Sequence, residues 1–92
     1  MDSILQQEKE CYFTGAKSNL HEHHVFPGRN RGMSEKYGLK IWLRADLHTG
    51  RNGIHFNREM SEAVKRAAQR KAMKVYGWSK DDFIKLFGRN YL

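Results

Sequence analysis

The sequence predicts an α+β fold, two strands followed by two helices, on three observations. LKIWLR (residues 39–44) alternates apolar and polar side chains, the period of a half-buried strand. From Arg58 onward apolar residues recur at spacings of three and four, the period of an amphipathic helix. All five histidines precede that helical part, and three of them fall within residues 21–24.

The elements follow in order. Residues 1–10 read as a polar lead-in, with a short helix around ILQQEKE as one option, and CYFTG reads as an aromatic β-type run closing on Gly15. LHEHHVF (residues 20–26) carries β-branched and aromatic residues at its end and stops at Pro27-Gly28, which predicts the first strand. The polar, glycine-rich GRNRGMSEKYG is a loop, with Ser34 a candidate cap for one helical turn ended by Gly38. LKIWLR closes a long-looped hairpin, with Leu39, Ile41 and Leu43 facing one way. Met60, Ala63, Val64, Ala67, Ala68 and Val75 mark the long helix, interrupted where Lys71 and Ala72 fall, with Asn57 as its cap and Gly77 as its stop. Ser79 caps a last helix, about residues 79–88, with Asp81 and Asp82 suited to its first turn and Phe83, Ile84, Leu86 and Phe87 on its apolar side.

Ninety-two residues suit a single domain, 1–92, with a thin core. One cysteine, Cys11, excludes an internal disulfide and fits a reducing cytoplasm. No run has the length of a membrane span, and the amino terminus has no basic segment followed by an apolar one, so neither membrane insertion nor secretion is expected. The net charge of +7 is unevenly placed: residues 1–57 hold eight basic and six acidic side chains, and residues 58–92 hold nine and four. A basic surface favours polyanions such as nucleic acid through phosphate neutralisation, and equally serves solubility.

Alternation along a strand turns His23 and His24 to opposite faces, which suggests two jobs, one on a metal and one facing a neighbouring space. His21 shares the His23 face about 6.5–7 Å away, where a surface role is favoured over that of a third ligand. His48 and His55 would lie about 10.5 Å apart along a continuous helix. Two nitrogens on one ion can be only about 3–4 Å apart, given bonds of about 2.0–2.1 Å. If both are ligands the chain between them must therefore fold back, and TGRNG, with Gly50 and Gly53, can supply that turn. Taken as two isolated residues, His48 reads as a helix-flanking polar residue and His55 as a satisfied, partly buried one.

LHEHHVF, a hairpin, and LHTGRNGIHFN leading into a helix together resemble the HNH nuclease motif, the ββα-metal finger. The pattern is most similar to small phage-type HNH proteins, with a three-histidine site like those of nuclease colicins and phage recombination-enhancement nucleases. The resemblance covers about residues 11–75. It implies that His23 is a metal ligand and His24 the general base, with His48 and His55 in the two ligand places at the turn into the helix. The chain departs from the family twice. Only Cys11 stands where many members carry the first of two paired-cysteine zinc ligands, so packing must replace that zinc. The motif's middle asparagine, which supports the loop and the base, has Asn30 and Ser34 as candidates.

The resemblance further implies hydrolysis of DNA phosphodiester bonds in a bacterial or phage-infected cell, with one divalent ion. Three imidazoles favour zinc, nickel or cobalt as isolated, while magnesium or manganese can be the working ion. His24 would deprotonate water, since an imidazole pKa of about 6.5 suits a base at neutral pH. Arg31 and Arg51 are expected phosphate contacts, or else solvated loop arginines, and Lys65, Arg66, Arg70 and Lys74 are expected to hold DNA. A monomer with one site would nick, and a dimer would cut both strands. The alternatives are a DNA-binding module whose metal is structural, which needs no histidine at position 24, and a basic adaptor for an acidic protein, which leaves the histidines unexplained.

Overall fold

The structure, a computed structural model, describes residues 1–51 and 53–92. Its architecture is α+β, with β1 (Leu20–His24), a 3-10 turn (Gly28–Asn30), α1 (Arg31–Tyr37), β2 (Lys40–Arg44), α2 (Ala45–Thr49), α3 (Arg58–Tyr76) and α4 (Lys80–Phe87). β1 and β2 pair antiparallel, with His23 opposite Ile41 and His24 opposite Lys40. This register puts His21 and His23 on the face of Ile41 and Leu43, which are fully buried. Glu22, His24, Lys40 and Trp42 occupy the other face.

The core is completed by Val64, Ala68 and Ala72 of α3 and by Phe83 and Phe87 of α4. Phe26, just past β1, packs against Phe83, Phe87 and Tyr91 at ring separations of 5.5, 4.9 and 5.2 Å. That cluster anchors the chain leaving His24. The caps form where expected: Asn57 Oδ1 accepts the Met60 amide, Gly77 takes a left-handed conformation, and Ser79 forms a capping box with Asp82.

Several expectations are corrected. Residues 1–10 form no helix, and residues 11–15 form a turn closed by Gly15 N–H to Cys11 O rather than a strand. The segment instead lies along the free edge of β2, where the Trp42 amide donates to Gln6 Oε1 (2.7 Å) and the Tyr12 amide to Trp42 O (2.8 Å). An otherwise open strand edge is thereby satisfied. The loop of residues 28–38 contains α1, and Ser34 is not its cap. Ser34 is buried inside that helix, accepting from the Phe26 amide and donating to the Phe26 carbonyl, each at 3.0 Å.

The buried stripe of α3 steps by four through Val64, Ala68 and Ala72, with Met60 and Tyr76 half-buried, so Ala72 fills the apparent gap while Ala63 and Val75 are exposed. Gln69 is buried as well, because its amide nitrogen donates to Asn90 Oδ1 and its oxygen accepts from the Tyr91 amide. In α4, Ile84 is exposed rather than apolar-facing. No helix among the described residues is long and apolar enough to cross a membrane.

Candidate metal centre

β1 ends with His23 facing the core side of the hairpin, and β2 runs directly into α2, which carries His48 in its last turn. The chain then reverses. The Gly53 amide donates to Gly50 O (2.9 Å) and the Ile54 amide to Leu47 O (2.6 Å), returning His55 to a position beside His48. The glycines serve this reversal by lacking a side chain. Gly50 has φ −73°, open to any residue, but a Cβ there would collide with the Asp46 carbonyl. At Gly53 a Cβ would stand 2.8 Å from Leu47 O.

His23, His48 and His55 thus converge, each offering a ring nitrogen within 4.8 Å of the others. Ring centroids are 5.2 Å apart for His23 and His48, 5.4 Å for His23 and His55, and 5.0 Å for His48 and His55. Nitrogens sharing an ion lie about 3–4 Å apart, so the three rings stand close to the spacing that a shared ion requires. Burial, reinforced by the adjacent imidazoles, pushes the His23 pKa down to about 4, and the His48 pKa is lowered for the same reasons. Neutral rings keep the lone pairs a metal requires. The donor set therefore fits a divalent ion, with His23 buried, His48 half-buried and His55 exposed on the open side.

His21, expected at the surface, is exposed, yet its Nδ1 lies 3.1 Å from His48 Nδ1. One nitrogen of His48 is thus held by an outer imidazole, the arrangement that fixes a ligand's tautomer and ring orientation. His21→Ala should weaken metal affinity by about 10–100-fold, the usual cost of losing an outer partner, as read by calorimetric titration. Unchanged affinity would make the contact incidental.

His24, buried at the strand end, faces a different group. Its Nε2 lies 3.1 Å from Glu35 Oε1 of α1 and 3.9 Å from Glu22 Oε1. Lys40 Nζ sits 2.9 Å from Glu35 and 3.4 Å from Glu22. Hydrogen bonds from Lys40, then His24, then the amino terminus hold the Glu35 carboxyl down to about 2. Glu22, His24 and Glu35 could also be read as a second metal group. The Lys40 ammonium already lies between the two carboxylates, so the cluster is better described as a charge network around His24.

Asn30 and Ser34, the candidates for supporting the loop and base, do not reach His24. Asn30 Nδ2 donates to the Phe87 carbonyl, and Ser34 ties to the Phe26 backbone. Both pin the connection between the strands, while Glu35 makes the bond to the imidazole. The sequence gives one sign of this network: Glu22 and His24 are two apart, hence on one strand face. Lys40 and Glu35 enter only through the hairpin register and the return of α1.

Two clefts meet at the triad. One of about 200 Å³ is lined by Glu22, His23, His24, Pro27, Arg31, His48 and His55. The other, of about 390 Å³, has His23, His55, Phe56, Arg58 and Lys65 among its walls. Arg31 therefore lies where a phosphate contact was expected, whereas Arg51 is exposed and lines neither cleft. The expected basic face of α3 divides. Lys65 belongs to the second cleft, while Arg66, Arg70 and Lys74 are exposed at intervals of four along the helix. Comparison with protein-family models, curated proteins and solved structures finds no match for this chain.

Proposed function

We propose that the chain is a metal-dependent endonuclease of the HNH type, a ββα-metal finger built from β1, β2 and the α2–α3 segment, hydrolysing DNA phosphodiester bonds. The observation that carries this reading is the first cleft, in which the three-histidine group, His24 and Arg31 share one wall-lined space. A purely structural metal site has no use for a buried histidine with a carboxylate partner opening on the same cleft.

His23, His48 and His55 would hold zinc, nickel or cobalt in preference to magnesium, with magnesium or manganese as possible working ions. Bound there, a divalent ion supplies Lewis-acid stabilisation to the phosphate and the departing oxygen. The chain's own residues do the rest. With the Glu35 carboxylate accepting at Nε2, His24 would carry its proton there and keep the lone pair on Nδ1. That lone pair takes a proton from the attacking water, and Glu35 stabilises the imidazolium that forms. Arg31, whose guanidinium carries a fork of donors, holds a phosphate oxygen at the cleft.

Arg66, Arg70 and Lys74 extend the phosphate contact beyond the cleft. Neutralising two of them should weaken duplex binding and lower the slope of log affinity against log salt by about 0.9 for each phosphate no longer neutralised. An unchanged slope would leave the stripe as a solvated surface. The reading as a whole is tested by incubating the chain with supercoiled plasmid in zinc, nickel, manganese and magnesium. Conversion to nicked or linear DNA supports the enzyme. Tight DNA binding with inert DNA in every metal favours the module with a structural ion.

A further inference from the structure

We propose that the cleft between His55 and α3 is a binding site for an unpaired nucleotide, with Phe56 as its stacking platform and Arg58 and Lys65 as its phosphate contacts. The proposal rests on the nuclease reading, and it names the substrate class: DNA with a locally opened strand. Among the described residues Phe56 is the most exposed large hydrophobic side chain, at 73%. Its exposure is not that of a loose loop. The Phe56 amide donates to Gly53 O (3.0 Å), and the next residue, Asn57, is fixed as the cap of α3 through the Met60 amide.

The ring stands beside His55 of the metal group, at the mouth of a cleft of about 390 Å³, within the roughly 300–1,000 Å³ range of small-ligand pockets. Arg58 opens α3 one turn before Glu62, and Lys65 lies one turn beyond. Among the described residues Glu62 is the one carboxylate lining the cleft and lies 3.9 Å from Arg89. Lys65 Nζ rests 5.7 Å from the Tyr91 ring centre, a weak contact that a phosphate would outcompete, and Arg58 is exposed. An intact duplex hides its base faces in the stack and presents only edges. A solvent-exposed phenyl ring therefore gains from DNA only where a base is unstacked. A base on Phe56 would set the adjoining phosphate toward the three histidines.

The test uses zinc-loaded chain and two fluorescent DNAs carrying 2-aminopurine, an intact duplex and the same duplex with a short single-stranded gap. Equilibrium affinity is read by fluorescence, and strand integrity is followed in parallel on gels. Wild type should bind gapped DNA about ten-fold more tightly and perturb the aminopurine signal, within the about 5–150-fold that one base–aromatic stack carries. Phe56→Ala should abolish the preference and Phe56→Trp should retain it. Equal affinity of wild type for both DNAs, or a preference untouched in Phe56→Ala, overturns the proposal. So does a Phe56→Ala chain that changes only its oligomeric state, since the ring would then be a contact between copies. Gapped-DNA preference without cleavage leaves the nucleotide site standing and removes the nuclease, and cleavage without preference does the reverse.

Discussion

His24→Ala should cut the rate of plasmid cleavage by about 10²–10⁴-fold, the usual contribution of a positioned general base. The same variant should keep its metal content and its affinity for DNA. The separation follows from the strand. His23 and His24 are adjacent and so face opposite sides of β1, one into the three-histidine group and the other onto Glu35. His24 is also buried at the edge of the first cleft, where alanine removes the imidazole without removing a metal donor. Metal loss in His24→Ala would reverse the two assignments, and unaltered cleavage would remove His24 from the reaction.

His23→Ala should have the larger effect on the ion. Losing a direct ligand should lower affinity by more than the about 10–100-fold that loss of an outer partner costs. Elemental analysis of the purified variant should then find little bound metal. The fold should register the loss as well. An ion at a thousand times its dissociation constant stabilises the native state by about 4 kcal/mol. For a domain of this size that increment corresponds to roughly 15–30 °C in melting temperature. Chelation of wild type should give a shift of that order, and His23→Ala should show little further response to chelator. A variant that keeps one ion per chain and the wild-type melting temperature would disprove the ligand assignment.

The parts of this fold legible in the sequence are those whose chemistry is local. α3 and α4 declare themselves through the caps Asn57 and Ser79 and the stop at Gly77, each acting within a few residues of its own helix end. β2 declares itself through alternation, and the meeting of His48 and His55 through the need for a reversal at Gly50 and Gly53.

What stays hidden depends on partners distant in the chain. α1 is only seven residues long, its core contact beyond Ser34 is the half-buried pair Met33 and Tyr37, and Ser34 itself is satisfied by Phe26, eight positions earlier. The amino-terminal segment binds the edge of β2 through backbone groups and Gln6, and backbone donors leave no residue signature. The bond from His24 to Glu35 and the placement of Lys40 arise from the strand register together with the return of α1. The contact of His21 with His48 spans 27 positions and likewise appears only once the hairpin is closed.

The most direct measurement is a titration of metal-free wild-type chain with zinc, and separately with manganese, recording ion occupancy and the rate of plasmid nicking on the same samples. Cleavage should be absent in chelator, rise in proportion to occupancy, and level off at about one ion per chain for a site with three protein ligands. Nicking that persists in chelator, or a chain that fills with one ion and cuts nothing under either metal, would contradict the account.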